Sequence, residues 1–306
     1  MRKPKGKLQT NLEYTAARGI VGAIGLFPLA ASIKIGESFA KIPFRLLKRL
    51  RSVGHRNLEL ALPELSRQEH ERILHGVFAS FGRQLGFVSH LHRLTPKKLG
   101  EIIEVEGLEY CEQARAAGRG TIIFTAHFGG WELSHSVIAA LNYPMNIVVR
   151  RIDNPKIESL VGNLRSRFGS RTIDKKESAK AMLRILQKNE FLGILVDLNA
   201  QEHEGVFVDF FGVPASTTTG VAKLALRTKS VVLPGFPVWQ KEKKRYVLKI
   251  CEPVEIPDTG NAEENTRILT QNITAKVEEF VRQYPDQWLW IHKRWHTQPK
   301  GEKAIY

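Results

Sequence analysis

A histidine and a glutamate near the middle of the chain, His127 and Glu132, have side chains suited to acid–base chemistry. They belong to the segment TIIFTAHFGGWEL, which runs from Thr121 to Leu133. A neutral imidazole can accept a proton near neutral pH, and a carboxylate on its second nitrogen would fix the tautomer and stabilise the imidazolium. We expect the Gly-Gly turn to bring Glu132 back beneath His127. Such a pair would activate a substrate hydroxyl rather than form a covalent intermediate.

The simpler alternative is a hydrogen-bonded histidine beside a glutamate that stabilises a helix start through the helix dipole. The spacing of the two residues does not separate these interpretations. The setting favours a functional pair, because TIIFT is a β-branched run typical of a buried strand and a helix is predicted over 131–141. The carboxyl end of a strand, just before a helix, is where open α/β sheets place their ligands.

The same alternation of elements continues on both sides of this segment. Buried runs predict strands over 102–107, 145–150, 191–197, 230–239 and 245–251. Helical patterns cover 66–94, which opens with a capping box, and 108–117, 154–168, 177–188, 220–227 and 263–282. We therefore predict an α/β fold with a mostly parallel central sheet flanked by helices.

Polar side chains stand at the ends of three of these strands. His127, Arg150 and Asp197 would share one edge of a parallel sheet. Strand ends also tolerate polar residues for purely structural reasons, so this pattern alone leaves both interpretations open. The aromatic segment GVFVDFFGVPAS, over 205–216, could line a tunnel or pack as ordinary core.

The composition describes a basic globular protein. The chain has 306 residues, 42% of them hydrophobic, and a formal net charge of +15. A charge of this size attracts polyanions such as nucleic acid, anionic lipid, phosphorylated substrates or an acidic carrier protein. Cys111 and Cys251 lie far apart, which argues against a disulfide framework and indicates a reducing compartment. No histidine or cysteine spacing predicts a metal site, and we expect none.

Residues 1–54 are interpreted as a membrane-anchoring region, followed by a catalytic domain over 55–306 with a helical lead-in to residue 100. The uncharged stretch 19–33 is shorter than the roughly 20 residues of a spanning helix and contains Pro28. KIPFRLLKRLR, over 41–51, has the pattern of a basic amphipathic helix in a headgroup layer. A soluble helix with a solvated basic face is the alternative, and monotopic insertion and a short tilted span both stay open.

The ending QWLWIHKRWHTQ contains three tryptophans among basic residues. An aromatic belt at a membrane interface and core packing are both compatible with this composition.

With these segments described, the chain resembles the bacterial lipid A biosynthesis acyltransferases, the late-acting lauroyl and myristoyl transferases of the lysophospholipid acyltransferase-like group. The resemblance covers nearly the whole chain. It consists of TAHFGGWEL, which matches the family's catalytic His and acidic residue, and of four further blocks in order: VVRRIDNP, ILVDLN, VFVDFFGVPAS and QWLWIHKRW.

The resemblance implies transfer of a fatty acyl chain from a thioester, on acyl carrier protein or CoA, to a hydroxyl of an anionic membrane glycolipid. His127 would deprotonate the hydroxyl and Glu132 would orient His127. Arg150 would bind the developing oxyanion or a lipid phosphate. Further substrate contacts are implied for Asn154, Asp197, Asn199, Phe211 and Gly212. No cofactor is implied, and the expected location is the cytoplasmic face of the bacterial inner membrane.

Two departures leave the acceptor open: Arg151 and Leu198 stand where the family often has proline and glutamine. An acyl-CoA-dependent enzyme for another glycolipid or a phospholipid is therefore the alternative activity. A nucleic-acid-binding module would use the same charge, but the basic residues are spread along the chain and concentrate beside an apolar segment. A scaffold with a decayed site is disfavoured by the complete catalytic block.

Overall fold

A seven-stranded sheet forms the centre of the molecule. The computed structural model describes residues 6–174 and 178–306. In chain order its strands are β1 (Ile103–Glu106), β2 (Thr121–Thr125), β3 (Met145–Val149), β4 (Arg171–Asp174), β5 (Phe191–Leu195), β8 (Val231–Gln240) and β9 (Arg245–Ile250). Within the sheet they lie in the order β1-β9-β8-β2-β5-β3-β4.

Five neighbouring strands, β8, β2, β5, β3 and β4, run parallel. Strand β9 pairs antiparallel with β8 and parallel with β1, so β9 and the edge strand β1 run in the opposite direction to the other five strands. The prediction of a mostly parallel sheet flanked by helices is confirmed. Its physical basis is that helices connect the parallel strands and cover both faces.

Helices account for most of the remaining chain. They are α1 (Lys7–Ile24), α2 (Leu29–Phe39), α3 (Lys41–Leu46), α4 (Lys48–Ala61), α5 (Arg67–Leu91), α6 (Pro96–Ile102), α7 (Leu108–Ala116), α8 (Trp131–Ala140), α9 (Pro155–Ser166), α10 (Ser178–Gln187), α11 (Gly220–Thr228) and α12 (Ala262–Gln283). The predicted capping box of α5 is confirmed, with Ser66 and Glu69 bonded reciprocally. The start predicted for α10 at residue 177 lies outside the described residues.

A two-stranded hairpin, β6 (Gly205–Phe210) and β7 (Val213–Thr218), was not predicted as strands. Its two turn residues, Phe211 and Gly212, have φ angles of 60° and 74°. Two consecutive residues with positive φ are typical of a tight hairpin turn, but a phenylalanine rarely adopts that conformation. The sequence FFG therefore lacks the usual turn signal.

The N-terminal region is a chain of separate helices. The uncharged stretch is divided because α1 ends at Ile24 and α2 starts after Pro28. The predicted amphipathic helix over 41–51 is helical, but the continuity was wrong because Leu47 separates α3 from α4 with φ −88° and ψ 60°. None of the helices in the described residues combines the length and apolar character needed to cross a membrane.

Helix α2 packs closely along α5 through glycines. A Cβ placed on Gly36 would lie 2.1 Å from the carbonyl oxygen of Gly82, so a larger residue at this position would force the helices apart. Helix α4 continues through residue 54, where the sequence suggested the end of the anchoring region. The N-terminal helices are thus packed directly on the rest of the protein.

Candidate functional site

The side chain of His127 forms a hydrogen-bonded pair with Asp197. The distance from His127 Nδ1 to Asp197 Oδ1 is 2.9 Å. The other carboxylate oxygen, Oδ2, accepts the backbone N–H of His127 at 2.9 Å and the indole N–H of Trp288 at 2.9 Å. The Asp197 side chain is fully buried, whereas that of His127 is 20% exposed. The carboxylate is held rigidly, and the imidazole can be reached from outside.

The pairing follows from the register of two adjacent parallel strands. Thr125 at the end of β2 is opposite Leu195 at the end of β5. His127 and Asp197 each lie two residues further on, so they meet at the same edge of the sheet. The amide of Val196 donates to the carbonyl of Thr125, which continues the strand pairing up to the site.

Glu132 is not the residue that orients His127, and this expectation was wrong. Its carboxylate accepts two hydrogen bonds from the Arg165 guanidinium, at 2.5 Å from Nε and 3.0 Å from Nη2. The intervening turn is fixed against β8, because Gly130 donates its N–H to the carbonyl of Pro237. Gly129 has φ 51°, and a Cβ there would lie 1.8 Å from that same oxygen. This turn starts α8 in a direction that takes Glu132 to α9.

The charges of the site favour an ionised Asp197 beside a basic His127. Burial opposes a charged imidazole, but the Asp197 charge, its hydrogen bond and the Glu132 charge outweigh that effect and raise the pKa of His127. Burial likewise opposes ionisation of Asp197, and the His127 and Trp288 contacts outweigh it and lower its pKa. A neutral His127 therefore carries its proton on Nδ1, since the carboxylate can only accept there. Nε2 is left as the basic nitrogen.

His127 lies in the wall of a pocket of about 1440 Å³ at the carboxyl ends of the strands. The polar part of its lining is formed by His127, Glu132, Arg150, Arg165, Asn199, Glu204 and Thr218. A second, mainly apolar cavity lies between α8 and the sheet. Trp131, Glu132 and Arg165 line both spaces, so the apolar cavity adjoins the histidine pocket.

Two further predicted residues, Arg150 and Asn199, line the histidine pocket. The Arg150 side chain is 77% exposed and 3.4 Å from Asp153. Asn199 is held in place by Thr297, which donates its N–H to Asn199 Oδ1 and accepts from Nδ2 through its hydroxyl. Arg150 is thus free to reorient toward a ligand, whereas Asn199 forms a fixed part of the wall.

The structure does not bring Asn154 to this pocket. Its side chain is buried and caps α9, since Oδ1 accepts from the amides of Lys156 and Ile157. Its Nδ2 donates to the Thr10 carbonyl at 2.9 Å and to Glu13 at 3.0 Å. Because both ends of the amide are used in this way, Asn154 connects the start of α9 to α1.

Phe211 and Gly212 also lie away from the pocket, at the tip of the β6–β7 hairpin. Phe211 packs against Phe210 and Trp290, and its amide donates to Glu278. Of the two interpretations of this segment, core packing fits Phe211. Trp288, Trp290 and Trp295 are likewise buried in the core, so the C-terminal tryptophans do not form an exposed belt.

Arg165 and Trp288 are site residues that the sequence did not reveal. Arg165 pairs with Glu132 only because α9 packs on α8, and no local pattern marks that contact. The sequence places Trp288 in a tryptophan-rich block but does not show which residue its side chain contacts. Its backbone forms an antiparallel bridge with Phe128, next to His127, and its indole reaches Asp197.

Replacing Trp288 with phenylalanine is expected to lower the free energy of unfolding in a pH-dependent way. The lowered pKa of Asp197 means that its ionised form contributes stability above its unfolded pKa, a contribution lost as pH falls through the folded pKa. Losing the indole donor to this carboxylate should cost about 1.5–3 kcal/mol at neutral pH. The cost should shrink on acidification, which denaturant unfolding at several pH values would measure.

Trp290→Phe is the matched control for this substitution. Trp290 is equally buried, but its indole donates to the neutral carbonyl of Pro285. Its loss should cost about 0.5–1.5 kcal/mol without a pH trend. Identical, pH-independent costs for the two variants would contradict the role assigned to Trp288.

The described residues hold no group of three or more His, Cys, Asp or Glu side chains arranged to bind a metal ion. The chemistry that these residues can perform is proton transfer at His127 Nε2, supported by the Asp197 carboxylate. The guanidinium groups of Arg150 and Arg165 can bind negative charge in the same pocket.

Comparison with known proteins identifies relatives over most of the chain. The family model described as bacterial lipid A biosynthesis acyltransferase matches residues 6–297. A lipid A biosynthesis acyltransferase of Haemophilus influenzae is 29% identical, covering 96% of this chain and 98% of the relative. The lipid A biosynthesis lauroyltransferase of Escherichia coli is 29% identical, covering 94% and 92%. The lipid A biosynthesis myristoyltransferase of Escherichia coli is 25% identical, covering 86% and 80%.

Proposed function

The chain belongs to the bacterial lipid A biosynthesis acyltransferase family and is an acyltransferase, and from that premise we propose that it moves a fatty acyl chain from a thioester to a hydroxyl of a lipid A precursor. The observation that carries the proposal is the His127–Asp197 pair in the wall of a pocket that adjoins an apolar cavity. The pair supplies the base, and the cavity has the surface chemistry for a hydrocarbon chain.

In the proposed reaction, His127 Nε2 takes the proton of the acceptor hydroxyl as its oxygen attacks the thioester carbonyl. The resulting tetrahedral intermediate collapses, the C–S bond breaks, and the thiolate takes the proton back from the imidazolium. Asp197 stabilises the imidazolium through its hydrogen bond to Nδ1. The acyl group passes directly from the sulfur to the acceptor oxygen, so no acyl-enzyme forms.

The two arginines of the pocket have different proposed roles. Arg165 is held by Glu132, which fixes the guanidinium close to the reacting groups and suits it to stabilising developing negative charge. Arg150 is exposed and projects from the loop after β3, which suits it to a phosphate of the acceptor. Asn199 would contribute to the shape of the acceptor site.

We further propose that the protein works on the cytoplasmic face of the bacterial inner membrane. Nine large hydrophobic side chains are exposed in α1–α4 and the turns that join them, at Leu8, Leu12, Ile20, Leu26, Phe27, Phe39, Ile42, Leu46 and Leu47. Basic residues lie among them, including Lys34, Lys41 and Arg45. Apolar side chains combined with positive charge favour binding to an anionic lipid surface.

Removing either partner of the Glu132–Arg165 pair is expected to lower kcat/KM by about 10- to 100-fold. A loss of this size lies within the range of interaction free energies between residues in contact. Burial favours the neutral form of Glu132, but the Arg165 contacts outweigh it and lower its pKa, so both partners are ionised. If they act as a unit, Glu132→Gln combined with Arg165→Gln should be no worse than the worse single variant. Steady-state kinetics of the four proteins would measure this coupling.

The exposed pair Lys276–Glu279, 3.0 Å apart on α12, provides the control. Glutamine substitutions there should leave kcat/KM within about twofold, as expected for a surface ion pair. Fully additive losses at Glu132 and Arg165 would show that the two residues act separately.

Mass spectrometry of lipids tests the proposed function most directly. Lipid A from cells with and without the gene should differ by one acyl chain, which would also identify the chain length and the acceptor. Unchanged lipid A, together with a change in another glycolipid or phospholipid, would replace the acceptor proposed here. Donor choice is tested separately, by comparing acyl carrier protein and CoA thioesters in vitro.

A further inference from the structure

We propose that a basic groove beside α4 is the docking surface for an acidic acyl carrier protein, an inference that rests on the proposed thioester donor. The groove has a volume of about 1960 Å³ and lies between α4, the start of α5 and the C-terminal residues. We call it the α4 groove. Its charged lining consists of Lys48, Arg49, Arg51, His55, Arg56, Glu59, Arg67, Glu71 and Lys293.

The α4 groove keeps an excess of positive charge after its internal ion pairs are counted. Glu71 lies 2.7 Å from His55 and 3.8 Å from Arg51. Glu59 is shared in the same way, 3.8 Å from Arg56 and 3.4 Å from Arg67. Each of the two carboxylates thus already serves two basic groups, and the groove attracts an anionic partner.

Lys48 and Arg49 carry the part of this charge that is most available to a partner. Both are exposed at the start of α4. No carboxylate in the described part of the chain lies within ion-pair distance of either side chain. Exposed charges at the rim of an interface mainly increase the association rate and select partners of opposite charge.

The floor of the α4 groove is fixed to the segment that holds the catalytic pair. Asn57, on the buried face of α4, donates to the carbonyls of Trp290 and His292 at 2.6 Å each. Trp288, two residues before Trp290, binds Asp197. A partner in the groove would therefore bind to a surface that is rigid relative to His127.

The groove also lies near the catalytic pair. Lys293, in its lining, follows His292 in the chain. Burial lowers the pKa of His292, and the charges of Asp197 and His127 act on the same ring. The groove lining is thus adjacent in the chain to a residue on which the charges of the catalytic pair act, and a flexible prosthetic arm on a docked carrier would have to reach from the groove to the histidine pocket.

The shape and charge of the groove favour a protein over a lipid surface. A headgroup layer is flat and uniformly negative, whereas the groove is recessed between two helices and carries Glu59 and Glu71 among its cations. A partner helix with mainly acidic side chains can enter such a groove and match both signs of charge. The exposed apolar residues Leu46 and Leu47, just before α4, are not part of the groove lining.

The test reverses the charge of the groove without touching the catalytic pocket. Lys48→Glu combined with Arg49→Glu should raise KM for a lauroyl thioester on acyl carrier protein by about tenfold or more at low salt, with the difference shrinking at high salt. KM for lauroyl-CoA and kcat with either donor should change by less than about twofold. Sedimentation with anionic phospholipid vesicles should show unchanged binding.

Lys223→Glu with Arg227→Glu on α11 is the matched control, because it replaces one lysine and one arginine on an exposed helical surface. This control should leave KM for both donors unchanged. Any of three results with the groove variant would overturn the proposal. These are a KM for the carrier-bound donor equal to that of the wild type, an equal rise in KM for both donors, and loss of vesicle binding while KM stays unchanged. Failure of the wild-type protein to use any thioester would instead count against the proposed function.

Discussion

Replacing His127 with alanine is expected to lower the rate of acyl transfer by about 10²- to 10⁴-fold, the effect of removing a positioned proton acceptor. The variant keeps the Asp197–Trp288 hydrogen bond and loses a side chain that is partly exposed, so the fold should persist. Transfer from a thioester to the lipid acceptor under single-turnover conditions measures the chemical step. Circular dichroism and vesicle binding show whether folding and membrane attachment are retained.

His203→Ala is the control for the loss of an imidazole. His203 lies in a short 3-10 turn, and its side chain is 74% exposed. Activity of His127→Ala near the wild-type level would exclude His127 as the base. The direct-transfer route also predicts that no acyl-enzyme forms, so a covalent acyl adduct trapped and found by mass spectrometry would contradict it.

The mostly parallel sheet could be predicted because buried β-branched runs alternate with helical patterns, but the order of the strands within it could not. That alternation placed His127, Arg150 and Asp197 at strand ends, and the structure puts all three at the same edge of the sheet. The pairing of His127 with Asp197 needed one further fact, that β2 and β5 are neighbours in register. Residues 70 positions apart in the chain reveal such a contact only once the strand order is known.

Glu132 shows why nearness in sequence misled the assignment of the carboxylate partner. The Gly-Gly turn was expected to fold back onto the histidine. Instead, Gly129 fits closely against Pro237 of β8, whose carbonyl also accepts the Gly130 N–H, and that contact sets the direction of α8. The direction of a helix after a flexible turn depends on tertiary packing, which the local sequence does not encode.

Asn154 illustrates a different limit of prediction from sequence, because the motif that contains it was recognised but its structural role was not. An asparagine before proline is a common helix start, and the structure confirms it as the N-cap of α9. Its remaining amide hydrogens bind α1, a contact between residues 141 and 144 positions apart. The same side chain therefore joins the N-terminal helices to the loop that carries Arg150, a connection that no local pattern predicts.

Replacing Asp197 with asparagine is expected to reduce transfer by about 10²- to 10⁴-fold although the side chain keeps its shape. The carboxylate accepts three hydrogen bonds, from the His127 amide, His127 Nδ1 and the Trp288 indole. An asparagine has only one accepting oxygen, and its NH₂ group faces one or more of these donors. The imidazole would then accept at Nδ1 and carry its proton on Nε2, the tautomer that cannot act as the base.

The same substitution should shift the pH dependence of kcat/KM in a defined direction. Activity requires neutral His127, so in the wild type it falls as the pH drops through the raised pKa of that residue. Removing the Asp197 charge removes the main effect that raises this pKa, and burial then lowers it. The acid limb of the profile should therefore move to lower pH while the plateau rate decreases.

Kinetics across the pH range would measure the acid limb of the kcat/KM profile. Independently, ¹⁵N NMR of the His127 ring would identify the tautomer. Asp209→Asn, at an exposed position in β6, controls for the loss of a carboxylate elsewhere. An unchanged acid limb with a reduced plateau would mean that Asp197 acts on the fold rather than on His127. A full rate with the Nδ1-protonated tautomer retained would show that the hydrogen bond, without the charge, is enough to position the base.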